Sequence, residues 1–332
     1  MFLKSYTLTF LTFLTSGSIL SMSSNSWFTA WVGLEINLMR IIPLLLVNLN
    51  TKATEASIKY FLSQALASII LISASIGEII LSHSMIFHRF NRLILISLII
   101  KIGMAPFHFW FPQVINSTLW FQGFLILTWQ KIAPFTILSY FNSSELVITA
   151  VILSSLVGAI GGLNQTNLKL ILTYSSIAHT GWIIILCSIS LNIWFNYFLI
   201  YSLITATLVP MLNFSEISSI KEINSSKLSS TQKYCILVTI LSLGGLPPFL
   251  GFYAKLSAII IILSAAPTLI LMVLILSSLV SLFYYLKLTY NILIISTLET
   301  NIFLHKDFSF KNIIFIAATL GNIFAPVLIL LT

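Results

Sequence analysis

Leu98-Ile99-Ile100-Lys101-Ile102-Gly103-Met104-Ala105-Pro106-Phe107 and, further on, Leu127-Thr128-Trp129-Gln130-Lys131-Ile132-Ala133-Pro134 are two apolar runs, each with one lysine in its middle. A lysine at bilayer depth costs about 2.5–3.5 kcal/mol on insertion scales. Each lysine is followed within five residues by a proline, which removes a backbone donor and frees a carbonyl about one turn earlier. Freed backbone groups at membrane depth are tolerated where protein or a water-filled cavity receives them. The pattern predicts helices broken in mid-membrane, with a titratable amine beside each break.

Composition sets the class. The chain has 332 residues, 58% hydrophobic and only 7% charged, against about 25% charged in soluble domains. It reads as an all-α polytopic membrane protein. The formal charge of +8 is scattered with no basic run, so no nucleic-acid partner is expected. Cys187 and Cys235 lie far apart in apolar surroundings, which gives neither a disulfide framework nor a metal site. Met1 leads almost directly into an apolar run, so no cleavable presequence is expected. A bias toward Ile, Leu, Phe, Ser and Asn, with Asp307 the single aspartate, suggests AT-rich organellar coding.

Windows of about 20 apolar residues give eleven expected spans: 5–23, 27–47, 58–80, 91–111, 119–140, 145–163, 168–188, 192–211, 233–263, 268–290 and 312–331. The ninth is too long for one straight crossing, and Leu243-Gly244-Gly245-Leu246-Pro247-Pro248-Phe249-Leu250-Gly251 interrupts it. It reads as two half-helices. Loop cations are skewed. Lys4, Lys52, Lys59, Lys169, Lys221, Lys227, Lys233, Lys287, Lys306 and Lys311 fall on one side, and Arg89 and Arg92 on the other. By the positive-inside rule, the amino terminus and the 212–232 loop are expected in the cytoplasm or matrix, and the carboxyl terminus opposite. Gly103-Met104-Ala105-Pro106-Phe107 and Gly245-Leu246-Pro247-Pro248-Phe249 are 142 residues apart. That offset suggests inverted five-helix repeats, an antiporter-like architecture with two broken helices. The expected divisions are 1–140, 141–292, and 293–332 for a loop and final helix.

Five ionisable groups lie well inside spans: Glu35, Lys101, Lys131, His179 and Lys255. Buried acids and amines at this depth read as an ion or proton relay. Competing structural readings exist for each. Lys101 and Lys131 could be charge pairs that hold helices together. Glu35 could neutralise Arg40, although five positions apart they share no helix face. Lys255 could cap the second half-helix. His179, in Tyr174-Ser175-Ser176-Ile177-Ala178-His179-Thr180-Gly181-Trp182, could be a satisfied core histidine. Glu78 near a helix end reads as a surface group, His83 and His88 carry no metal signature, and His108 reads as interfacial. No nucleotide loop, metal-ligand cluster or nucleophile motif is visible, so no redox or hydrolytic centre is expected in the chain.

At these residues the chain resembles a known family. Trp31-Val32-Gly33-Leu34-Glu35-Ile36-Asn37, Lys101 to Trp110, Thr128 to Pro134, Tyr174 to Trp182 and Leu241 to Phe252 are similar to chain 2 of NADH:ubiquinone oxidoreductase (respiratory complex I) in its animal mitochondrial form. That family belongs to the antiporter-like subunits of the membrane arm. The animal form lacks the first three of fourteen bacterial helices, and the eleven expected spans agree with that. The resemblance implies a proton-translocating subunit of the mitochondrial inner membrane, amino terminus in the matrix and carboxyl terminus in the intermembrane space. Such a subunit would couple distant NADH-to-quinone electron transfer to pumping. Glu35 would pair with Lys101 and face a small neighbouring subunit, Lys131 would be the central lysine, and Lys255 would pass the proton toward a second antiporter-like subunit or outward. His179 matches the motif, with a less settled role. No cofactor is implied in this chain. NADH, FMN, iron–sulfur clusters and ubiquinone would sit in other subunits, and the partners would be membrane-arm and accessory subunits and lipids. A stand-alone cation/proton antiporter and a scaffold with merely paired charges are the alternatives.

Overall fold

The computed structural model describes residues 5–47, 50–80, 87–141, 144–215, 217–220, 222, 230–299 and 319–323. They are helical apart from connections and one isolated bridge between Asn167 and Ser219. Lipid offers the backbone no hydrogen-bond partner, so a chain this apolar must close its bonds within helices. Two compact units result, Met1–Ser154 and Ser155–Thr332.

In the first unit, α1 (Ser5–Met22), α2 (Trp27–Leu45) and α3 (Thr51–Ile80) are followed by α4 (Phe87–Ile102) and three short helices, α5 (Trp110–Ser117), α6 (Trp120–Leu127) and α7 (Trp129–Leu138). α8 (Glu145–Gly162) runs into the second unit. There follow α9 (Leu168–Ile189), α10 (Leu191–Phe214), α11 (Ser230–Gly244), α12 (Leu250–Ala265) and α13 (Thr268–Glu299). Among the described residues, six helical stretches are long and apolar enough to cross a membrane: Trp27–Leu45, Thr51–Ile80, Glu145–Gly162, Leu168–Ile189, Leu191–Phe214 and Thr268–Leu293. The expected last span, 312–331, lies outside the described residues except for a helical turn at 319–323.

Both expected breaks are present. α4 stops at Ile102 and α11 at Gly244, and each is followed by a glycine in the left-handed region, Gly103 at φ 77° and Gly245 at φ 79°. A Cβ is strained there, which is why glycine ends so many helices. The ends match bond for bond. Gly103 N donates to Ile99 O and Ile100 O, and Met104 N to Ile99 O; Gly245 N donates to Leu241 O and Ser242 O, and Leu246 N to Leu241 O. A cis prolyl bond follows in each, at Ala105–Pro106 and Pro247–Pro248. The 142-residue offset thus recurs as backbone geometry.

The carbonyls released at these ends find donors in the protein. Gln64 Nε2 donates to Lys101 O at 3.3 Å and Trp110 Nε1 to Ile100 O at 3.1 Å. At the second break Lys255 Nζ donates to Gly244 O at 2.8 Å. This is the reception that broken backbone requires at membrane depth.

The apolar run around Lys131 and Pro134, expected to be broken too, is interrupted as well. The span read as 119–140 divides at Thr128 (φ −118°, ψ −72°) into α6 and α7. Pro134, inside α7, has no N–H for Gln130 O, and its ring crowds that carbonyl. One turn upstream, Thr128 Oγ1 donates back to Phe124 O at 2.8 Å, a bond that bends helices. Lys131 lies three residues after the break.

Gly251 tests the second break. A Cβ there would run into the Ser242 carbonyl, whereas one on Gly244 would meet Tyr285 at an ordinary 3.6 Å. Gly251→Ala is expected to force the half-helices apart and destabilise the assembled protein by about 1–3 kcal/mol or more. Gly244→Ala should be near neutral. Thermal inactivation of the two variants side by side provides the comparison.

Candidate functional site: buried amines at broken helices

The three mid-span lysines are almost wholly enclosed, with exposures of 6% for Lys101, 2% for Lys131 and 9% for Lys255. Lysines are almost never this buried unless something receives the charge. The break geometry supplies part of the answer, because a helix end presents open carbonyls and the negative pole of its dipole.

In the first unit, Lys101 is in the last turn of α4 and Lys131 near the start of α7. Both line one cavity with about 20 Å³ of room for the centre of a water-sized sphere. That is enough for on the order of one water, given two to four polar partners. Asn37, Tyr60, Gln64 and Gln130 supply polar groups to the same wall. The Tyr60 hydroxyl donates to Gln130 Oε1 at 3.5 Å, while Gln130 Nε2 and Asn37 Oδ1 are buried without a partner. Lys131 Nζ sits 4.6 Å from the centre of the Phe111 ring, within cation–π range.

Glu35 is half-buried on α2, and its Oε2 lacks a hydrogen-bond partner. Its charge reaches Lys101, but no direct ion pair joins the two; the pair recorded among the described residues is Lys59–Glu55 on the outer turn of α3. Arg40 lies with its guanidinium 4.3 Å from the Phe13 ring centre on α1, so it has an aromatic contact of its own. Lys233, counted above with the loop cations, is buried in the first turn of α11.

In the second unit, Lys255 and His179 line a smaller cavity, of about 10 Å³ by the same measure. The ammonium caps the far side of the break, at the end of α11, where the sequence had suggested a cap for the second half-helix. Its stem crosses Gly245, whose Cβ would come within 2.9 Å of Lys255 Cδ. His179 Nδ1 is 2.9 Å from the Tyr197 hydroxyl, and the ring packs on Tyr201 at 5.1 Å between centres.

The structure therefore gathers Lys101 with Lys131 in one chamber and His179 with Lys255 in another. Sequence reasoning missed the uncharged members: Asn37, Tyr60, Gln64, Gln130, Tyr284 and Tyr285. Amides inside apolar spans are a weaker form of the same cost signal, and Gln64 and Asn37 were visible on that ground. The tyrosines give no such signal, since they are ordinary at membrane interfaces. Among the described residues no group of three His, Cys, Asp or Glu side chains is placed to hold a metal ion.

Residues 24–281 match the family described as NADH:quinone oxidoreductase/Mrp antiporter, TM. The chain is 39% identical over 307 residues to NADH-ubiquinone oxidoreductase chain 2 of Anopheles gambiae, covering 91% of this chain and 90% of that one. It is 41% identical over 293 residues to the chain 2 of Myxine glutinosa, covering 82% of each. Among solved structures, it is similar to a chain of respiratory complex I from Thermus thermophilus with bound aureothin, with a TM-score of 0.85 at 25% identity over 98% of this chain and 78% of that one. The Mrp complex from Dietzia sp. DQ12-45-1b shares the fold, with a TM-score of 0.73 at 19% identity over 84% of this chain and 59% of that one.

Gln64 carries a direct test of the site's construction. Gln64→Leu removes the donor to Lys101 O and leaves that carbonyl buried without its side-chain partner, a loss of about 1–3 kcal/mol. The assembled protein is expected to melt at lower temperature, and Gln64→Glu, which keeps the shape but not the amide donor, should not restore it. Differential scanning calorimetry of the two variants measures this.

Proposed function

From the premise that this chain belongs to the NADH-ubiquinone oxidoreductase chain 2 family, we propose that its buried amines form the proton relay of an antiporter-like subunit in the membrane arm. The chain is a multi-pass membrane protein and a proton-translocating subunit of that oxidoreductase. Glu35 exchanges a proton with Lys101, Lys131 on the shared first chamber is the middle station, and His179 and Lys255 serve the second chamber. The observation that supports this reading most is the near-complete burial of three lysines at helix breaks beside polar cavities. Scaffold charges would be expected in tight salt bridges, and Glu35 and Lys101 are not in one.

The chemistry suits protons. Burial disfavours a charged amine, while a carbonyl or carboxylate partner favours it. Small changes in either can therefore load or unload the nitrogen. Electron transfer belongs to other subunits on this reading, with NADH, FMN, iron–sulfur clusters and ubiquinone bound there. The neighbours are other membrane-arm subunits, a small one toward Glu35 and a second antiporter-like one toward Lys255. The amino terminus lies in the matrix and the carboxyl terminus in the intermembrane space. The two halves act as five-helix repeats, 1–140 and 141–292, with 293–332 completing the membrane part.

The fold shared with an Mrp complex supports a second reading, a cation/proton antiporter acting alone. Co-purification with NADH dehydrogenase activity separates the two, because a lone antiporter would show cation-dependent transport without it.

Lys131→Met tests the relay. Methionine fills a similar volume, and removing a buried charge also removes its desolvation cost, so the complex should assemble. Moving one proton against 100 mV requires about 2.3 kcal/mol, and a relay without its middle amine cannot deliver it. NADH oxidation and proton uptake in sealed vesicles are expected to fall strongly. Pumping at the normal ratio and rate would make Lys131 a structural charge.

A further inference from the structure

The first break reaches Lys131 through an aromatic ring. Phe111, in the first turn of α5, is 1% exposed. A Cβ on Gly103 would come within 3.2 Å of the Phe111 Cβ, so the left-handed glycine that ends α4 packs directly on this residue. Phe111 N donates to His108 O at 3.0 Å. Trp110, beside it, meets the ring edge to face at 5.5 Å between centres and donates through Nε1 to Ile100 O at 3.1 Å. The backbone of the break therefore holds Phe111 from one side. On the other, the ring centre lies 4.6 Å from Lys131 Nζ.

A ring face is negative and attracts an ammonium, and the attraction strengthens when water is excluded. A neutral amine gains none of it. The contact therefore favours the protonated form of Lys131, which at 2% exposure has little water to do so. The other groups that face it act differently. Lys101 from α4 and Tyr60 from α3 line the same chamber, and the charge of Glu35 from α2 reaches Lys101. A second ammonium at Lys101 disfavours a charge on Lys131. The walls given by α2, α5 and α6 are amide, apolar or aromatic, and α1, which also packs on α7, carries no acidic, basic or histidine side chain. The ring thus opposes the repulsion between the two amines.

We propose that Phe111 is a positioning residue whose ring face receives the Lys131 ammonium, so that the geometry of the first helix break sets how firmly that amine holds its proton. The contact falls off as the ring leaves the amine, since it acts within about 6 Å of the ring centre. A displacement of α5 against α7 at the break would then loosen the proton with no acidic group having to move. The inference rests on the relay reading and adds to it a residue that tunes the middle station.

The test uses the intact complex in sealed vesicles, with Phe111→Leu, Phe111→Met, Phe111→Tyr and Lys131→Met compared. Two readouts are followed against pH: coupled turnover, and the ammonium infrared band of ε-15N-lysine that is lost in Lys131→Met. Leucine and methionine fill the site without a π face, and methionine serves if the leucine variant does not assemble; tyrosine keeps the face. Phe111→Leu and Phe111→Met are expected to move the midpoint of the band to lower pH by roughly half to one and a half units. Coupled turnover on the alkaline side should fall with it, by roughly three- to thirtyfold. Phe111→Tyr should keep the native midpoint. Slower turnover at every pH with an unmoved midpoint would reduce Phe111 to a packing role and overturn the proposal, as would an equal displacement in Phe111→Tyr and Phe111→Leu. An unmoved midpoint in the aliphatic variants, with pumping lost in Lys131→Met, would overturn the role of the ring and leave the relay standing. Normal pumping in Lys131→Met would overturn the relay and, with it, the role of the ring in turnover.

Discussion

A backbone carbonyl released inside a membrane must find a donor, and most of this structure follows from how that need is met. At the end of α11 the donor is a lysine ammonium, Lys255 Nζ on Gly244 O at 2.8 Å. The charge gains the negative pole of the helix, and the helix end gains a cap. Neither would be stable at that depth alone. At the end of α4 the donors are neutral, Gln64 and Trp110, and Lys101 is left to the chamber instead. The same backbone device therefore serves two electrostatic arrangements. In the second unit the break holds the amine directly. In the first it opens a polar cavity in which two amines and several amides meet.

Much of this was legible in the sequence because its cost was legible. Lysines and prolines in apolar runs are expensive, so Lys101, Lys131 and Lys255 marked their breaks before any coordinates. The glycine–proline–phenylalanine pairs marked the repeat, and both came out with the same left-handed glycine and the same capping bonds. The break beside Lys131 was legible from Pro134, but its exact place at Thr128 was not, because it is set where a threonine back-bond and the proline act on the same two turns. The partners of the amines were legible only in part, since a tyrosine or glutamine in a span carries too small a penalty to stand out. The relation of Glu35 to Lys101 was carried by the family resemblance. In the structure no direct ion pair joins the two, and one oxygen of Glu35 is buried without a hydrogen-bond partner.

The absence of a direct ion pair bears on function. A tight buried ion pair is difficult to titrate, since breaking it exposes two uncompensated charges. An acid and an amine that are not locked in such a pair can change protonation one at a time. The same holds for His179 and Lys255, each anchored by its own hydrogen bond and facing a small cavity from a different helix. Loose coupling of well-held groups is the arrangement a relay driven from a distance requires. It also accounts for the unpaired polar atoms Asn37 Oδ1 and Gln130 Nε2, which in a purely structural core would be defects.

The central claim is that the buried amines change protonation as the oxidoreductase turns over. Redox-triggered infrared difference spectroscopy on complex carrying ε-15N-labelled lysine measures it directly. The account expects ammonium bands that shift with the label and rise and fall with NADH-driven turnover, with part of the signal lost in the Lys131→Met complex. Lysine bands that stay constant through turnover, in a complex that still pumps, would contradict it.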